Sequence, residues 1–114
     1  RVVAITDSIM AAGLPDGNYK LGVNDVVVKD GDAKLADTGV RAGSTLTQNV
    51  ALKNLLAFTG RPLEEILLLL TENPAKLLKI FDTKGSIADG KDADLVVLDE
   101  ANEVADVFVG GRKL

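Results

Sequence analysis

The stretch Lys84-Gly85-Ser86-Ile87-Ala88-Asp89-Gly90-Lys91-Asp92-Ala93-Asp94-Leu95-Val96-Val97-Leu98 changes character at Asp94. Up to that point Gly85 and Gly90 punctuate a charged loop. After it, Leu95 to Leu98 is a short apolar run that predicts a strand. Ala101-Asn102 supplies turn residues, and Val104 to Val109 returns as a second strand closed by Gly110-Gly111, so this part of the chain reads as a β-hairpin.

Working upstream, the pattern turns helical. Asn73-Pro74 is expected to end one helix and start another short one, with Asn73 as N-cap and Pro74 as first helical residue. Before it, Pro62 suits the first position of a helix whose Leu63, Ile66, Leu67 and Leu70 share one face. Leu68 and Leu69 widen that stripe, which implies neighbours on more than one side. Ser44 or Thr45 can cap an earlier helix from about Leu46 to Phe58, stopped at Gly60, with Leu52, Leu55 and Leu56 on one face.

The first third reads as strands and turns. Val26-Val27-Val28-Lys29 and Ala33-Lys34-Leu35-Ala36 flank Asp30-Gly31-Asp32, a hairpin signal with its turn at Asp-Gly. Ala11 to Gly17 is loop material. Arg1 to Thr6 is apolar and β-branched, which predicts a strand buried on both faces. The chain opens on that run with no lead-in, and the sequence is expected to be part of something longer. The order is strand, hairpin, two or three helices and a closing hairpin, a mixed α and β class.

Composition narrows the chemistry. The chain has 114 residues, 46% hydrophobic and 26% charged, one domain's worth of sequence that should bury roughly 65% of its unfolded surface. A net charge of -4 argues against a phosphate-backbone binder. The longest apolar run, Ile66 to Leu70, is far shorter than the ~20 residues of a membrane span, so neither nucleic acid nor membrane is an expected partner. With no Cys and no His there is no thiolate nucleophile, no imidazole ligand and no Ser-His-Asp triad.

Two places could carry chemistry. Asp7 follows the predicted buried strand, where α/β folds place catalytic groups, and a carboxylate there can accept and return a proton. An Asp after a strand is also an ordinary turn or cap residue. Arg41-Ala42-Gly43-Ser44-Thr45 enters a helix, where free N–H groups can hold a carboxylate, phosphate or hydroxyl; the same residues also suit a plain turn and cap. Asp92 and Asp94 read as a solvated turn, and Glu64-Glu65 as first-turn acids favoured by the helix dipole.

Asn73-Pro74-Ala75-Lys76 followed by Lys84 to Leu98 resembles the closing segment of the amidohydrolase superfamily. Val3-Ala4-Ile5-Thr6-Asp7, Ala11-Ala12-Gly13-Leu14-Pro15-Asp16-Gly17-Asn18-Tyr19 and Ala42-Gly43-Ser44-Thr45-Leu46-Thr47 are similar to the branch that deacetylates N-acetylglucosamine 6-phosphate. The resemblance runs over essentially the whole chain, with Ser8 where that branch commonly has Ala. It implies an α/β fold: the C-terminal part of a (β/α)8 metal-dependent hydrolase barrel over residues 1–81, with an inserted hairpin near 26–36, and the end of a small β-sandwich over 82–114.

The resemblance also implies roles. Asp7 would be the catalytic base and acid on a metal-bound water, and Ala42, Gly43 and Ser44 would contact the sugar through their backbone. The family's divalent metal, zinc or iron, sits on a glutamate and two histidines of earlier strands, so its ligands are expected upstream and none in this chain. The implied protein is a cytoplasmic, homo-oligomeric enzyme of amino-sugar catabolism acting on an amino-sugar phosphate, and this piece alone is expected to be inactive. Another amidohydrolase activity, on a cyclic amide or a deaminated base, and a non-catalytic α/β interaction module stay open. If the chain folds by itself, the predicted open-edged strand should oligomerise or re-pair.

Overall fold

A computed structural model describes residues 2–114. The chain divides into two compact units: Ile5–Ala51, and residues 2–4 with Leu52–Leu114.

The first unit is built on an antiparallel sheet of order β1-β2-β3, with β1 at Gly17–Leu21, β2 at Asn24–Lys29 and β3 at Asp32–Leu35. The expected hairpin forms with Val26 opposite Leu35 and Val28 opposite Ala33. Asp30 and Gly31 both have positive φ, 51° and 73°, as a two-residue I′ turn requires. The Asp16 carboxylate accepts hydrogen bonds from the N–H groups of Asp30 and Gly31, tying the turn to the residue just before β1. β1 goes beyond the sequence expectation: Tyr19 and Leu21 alternate with Asn18 and Lys20, a pattern too short to stand alone, and the strand is held by pairing with β2 while Tyr19 packs on the core.

The sheet continues past β3. Leu35 N–H donates to Val40 O and Ala42 N–H to Ala33 O, which adds 40–42 as an antiparallel edge. Ser44 then forms a parallel bridge with Ser8. Ile9, Ala11, Val26, Val28, Ala33 and Ala42 close into one core cluster, with Tyr19 and Leu35 packed against it.

The predicted strand at 1–6 does not form among the described residues; Arg1 lies outside them. Residues 2–7 take no strand or helix conformation, and Val2 and Ile5 are exposed. A strand exists through its ladder, and apart from Ala4 N–H donating to Leu69 O and Asn73 Nδ2 donating to Val2 O this stretch has few backbone partners. β-branched composition specifies the need for a partner strand and cannot supply one.

Three helices follow, each offset from its expected start. α1 is Gln48–Thr59, two residues later than expected, because the Ser44 and Thr45 hydroxyls donate to Thr6 O and Gly31 O. Gly60 ends it with φ 63°, as expected. α2 is Leu63–Leu70, with Pro62 as N-cap instead of first helical residue and Glu64 and Glu65 in its first turn. α3 is Glu72–Leu77, with Thr71 at the N-cap, so Asn73 and Pro74 lie inside its first turn. Asn73 does not cap because its amide reaches Val2 O.

In the second unit Leu52, Ile66 and Ala75 are buried, while the Leu67–Leu70 run is half-buried apart from exposed Leu68. The closing sheet has order β4-β5-β6, with β4 at Leu95–Leu98, β5 at Val104–Val109 and β6 at Arg112–Lys113. Asn102 takes φ 59° in the turn between β4 and β5. Lys84 bridges Asp92 at 2.9 Å and also Asp94, so this acidic pair is an ion-pair partner of a lysine in a solvated loop.

Candidate functional site

Asp7 and the 42–44 loop meet across the parallel bridge. Ser44 N–H donates to Asp7 O at 2.8 Å, and Ile9 N–H donates to Ser44 O at 2.9 Å. The Ser44 hydroxyl donates to Thr6 O and accepts from Leu46 N–H at 3.1 Å. Ser8, the residue that departs from the resembled pattern, adds a bond from its hydroxyl to Leu46 O. The two segments of the site are therefore stitched together, Thr6 to Ile9 against Ser44 to Leu46.

The approach is close because residue 43 has no side chain. A Cβ on Gly43 would stand 2.7 Å from Ile9 Cγ2 and 2.8 Å from Asp7 O, distances that side-chain carbons do not tolerate. Its φ of 65° is also in the left-handed region. Asp7 itself has φ 51° and an exposed side chain. Asp is among the few L-residues that visit this region, since its short polar side chain fits there.

The three loop candidates differ in what they offer. Ala42 is buried in the core at 5% exposure and its N–H is bonded to Ala33 O, so its methyl anchors the loop. Gly43 provides the close approach. Ser44 is half-buried, with N–H, carbonyl and hydroxyl all bonded within the chain. Beside it a shallow, open depression of about 390 Å³ is lined by Gly31, Arg41, Ser44, Thr45, Thr47 and Val50, among others.

Electrostatics near the loop centre on Asp32. Its carboxyl is held below the ordinary carboxylate range by Lys34 at 3.0 Å, with Arg41 at 3.2 Å adding to the effect. Arg41 is thus engaged by an acid at the rim of the depression.

The residues do not fit a divalent-metal centre. The sequence has neither His nor Cys, and among the described residues no three Asp or Glu side chains come together as ligands. Sequence reasoning missed Thr6 and Ile9 as parts of the site. Thr6 contributes a backbone carbonyl, which no side-chain pattern reveals, whereas Ile9 was legible as an apolar residue just after Asp7.

Comparison with known proteins covers almost the whole chain. It is 43% identical over 104 residues to the N-acetylglucosamine-6-phosphate deacetylase of Bacillus subtilis, covering 91% of this chain and 26% of that protein. It is 36% identical over 112 residues to the N-acetylgalactosamine-6-phosphate deacetylase of Escherichia coli O157:H7, covering 98% and 29%. The crystal structure of N-acetylglucosamine-6-phosphate deacetylase from Thermotoga maritima superimposes with a TM-score of 0.89 at 44% identity, over 98% of this chain and 30% of that one. The chain thus spans under a third of the length of these relatives. The profile of the amidohydrolase family matches residues 10–114, and the chain belongs to that family.

Proposed function

We propose that this chain is the C-terminal part of a hydrolase that cleaves the acetamide of an N-acetylhexosamine 6-phosphate, N-acetylglucosamine 6-phosphate first, releasing acetate and the amino-sugar phosphate. The observation that carries this reading is the Asp7–Ser44 bond, which sets an exposed carboxylate beside a glycine-containing loop. The names of the relatives at 43% and 36% identity support the substrate class.

In this reading Asp7 takes a proton from the water that attacks the acetamide carbonyl. The new C–O bond forms, the C–N bond breaks, and Asp7 hands the proton to the departing amine. Ala42, Gly43 and Ser44 border the sugar through their main chain. The divalent metal of the reaction, zinc or iron, would polarise the carbonyl and water, and its ligands belong to other parts of the longer protein. Residues 1–81 would complete the (β/α)8 barrel and 82–114 the small β-sandwich. This chain by itself is then inactive.

A cytoplasmic location and a homo-oligomeric state belong to the same proposal. For the 114-residue piece by itself, exposed Val2 and Ile5 leave apolar side chains that a second copy could cover. No helix among the described residues is long and apolar enough to cross a membrane.

The test is acetate release from N-acetylglucosamine 6-phosphate and N-acetylgalactosamine 6-phosphate by the longer protein carrying this segment, beside its Asp7→Asn variant. Turnover that falls about 100- to 10,000-fold in the variant is expected for loss of a general base. Undiminished turnover in Asp7→Asn would remove Asp7 from the reaction, and no acetate release from either sugar phosphate by the parent would overturn the substrate class.

A further inference from the structure

We infer that the Ser44 side chain is a positioning residue for Asp7, distinct from any contact its backbone makes with a sugar. Resting on the reading of Asp7 as proton carrier, this assigns the hydroxyl a role in the rate of the chemical step.

The geometry is a two-point clamp. Two carbonyls flank the α-carbon of Asp7, that of Thr6 on one side and its own on the other. Ser44 holds both: its hydroxyl donates to Thr6 O and its N–H donates to Asp7 O at 2.8 Å. Fixing the peptide planes on either side of one α-carbon fixes φ and ψ between them. For Asp7 that matters, because its φ of 51° is a region the free chain visits rarely. Those two angles set the direction of the Asp7 Cα–Cβ bond, from which the carboxylate extends.

The clamp is itself held in place. The Ser44 oxygen accepts from Leu46 N–H at 3.1 Å, which orients the hydroxyl hydrogen away from Leu46 and toward Thr6. Gly43 allows the close approach, since a Cβ there would meet Asp7 O at 2.8 Å. A hydroxyl so engaged has its proton committed to Thr6 and is poorly available to a ligand. Removing it leaves the N–H bond to Asp7 but frees the Thr6 peptide to rotate and takes the acceptor from Leu46 N–H, so the carboxylate loses aim while the Ser44 main chain stays bonded to Asp7.

The experiment compares Ser44→Ala, Ser44→Thr and Ser44→Cys with the parent in the longer protein carrying this segment, measuring kcat and KM for N-acetylglucosamine 6-phosphate and the thermal unfolding midpoint. Expected is a fall in kcat of about 10- to 100-fold for Ser44→Ala, the scale of a misaimed reacting group, with KM within about twofold. Ser44→Thr, which keeps the hydroxyl, restores most of kcat. If Ser44→Ala does not fold, Ser44→Cys, near-isosteric with a weak donor, carries the comparison and falls in kcat likewise. A raised KM with unchanged kcat would make the hydroxyl a substrate contact and overturn the inference, as would parent-like kinetics in Ser44→Ala. Asp7→Asn run alongside separates the cases: its full activity would instead refute the reading of Asp7.

Discussion

Gly43 and Asp7 are packed main chain against main chain: a methyl at Gly43 would lie 2.8 Å from the Asp7 carbonyl oxygen and 3.8 Å from its carboxylate Oδ2. Ser44 N–H closes the gap on the same carbonyl at 2.8 Å. The loop can therefore sit beside the carboxylate only where residue 43 is glycine, which makes the approach the most sequence-sensitive feature of the site.

Gly43→Ala is expected to lose about 2–4 kcal/mol of stability, combining overpacking with a left-handed Ala. Gly39→Ala is the control. Its φ of 69° is similar, but an added Cβ meets nothing within 4 Å, so only the conformational part, about 1 kcal/mol, remains. Urea denaturation of both variants measures the difference, and equal losses would refute the close approach.

The hairpin turn depends on a residue outside the hairpin. Asp16→Ala removes the acceptor of the Asp30 and Gly31 N–H groups and is expected to cost about 1–2 kcal/mol. Amide hydrogen exchange at Asp30 and Gly31 should accelerate while the β2–β3 ladder amides stay protected. Unchanged exchange at both amides would show that the turn stands without Asp16.

Lys84 with Asp92 and Asp94 sets a pH dependence whose sign follows from two shifts. Lys84, hydrogen-bonded first to Asp94 and then to Asp92, is raised above 10.5, so its contribution is complete below that value and is lost as the pH rises through the higher folded-state value. Asp94, hydrogen-bonded to Lys84 and to Gly110 N–H, is lowered below 3.8, so its contribution is present above 3.8 and is lost as the pH falls through the lower folded-state value. These groups are exposed, so the effect is small and screened by salt. The stability difference between parent and Lys84→Met should be present at neutral pH and shrink below pH 3.8. A difference that grows on acidification would contradict the pairing.

Lys91 lies over the Phe81 ring, 3.5 Å from its centroid, and donates to Phe81 O and to Lys84 O at 3.3 Å. A double-mutant cycle of Lys91→Met and Phe81→Leu is expected to show a coupling of about 0.5–1 kcal/mol. Additive losses would mean that the ring contributes nothing to holding the lysine.

What could be read in advance was local. Asp30-Gly31 prescribes its own turn, because both residues accept positive φ, and flanking Val and Ala residues prescribe the hairpin faces. Leu95–Leu98 and Val104–Val109 likewise carried their strand character in their own composition. Helix starts were less legible. Ser44, Thr45 and Asn73 all have capping side chains, yet none stands at the N-cap of the helix that forms, and their side chains donate to the carbonyls of Thr6, Gly31 and Val2. Residues 2–6 show the same limit from the other side: an apolar β-branched run states what it needs, and the ladder depends on what lies next to it.

The amino-acid sequence by itself determined the inventory of chemistry and the short-range backbone: no His or Cys to hold a metal, one Asp after an apolar run, glycines where positive φ is needed, and the order of hairpins and helices. Only the tertiary structure decided that Ser44 bonds to the carbonyls on both sides of the Asp7 α-carbon. Thr6 and Ser44 are 38 positions apart, and a serine hydroxyl can satisfy any nearby carbonyl or N–H. Which one it takes depends on the parallel bridge that brings Ser8 beside Ser44, a long-range pairing set by the core that Ile9, Ala33 and Ala42 share.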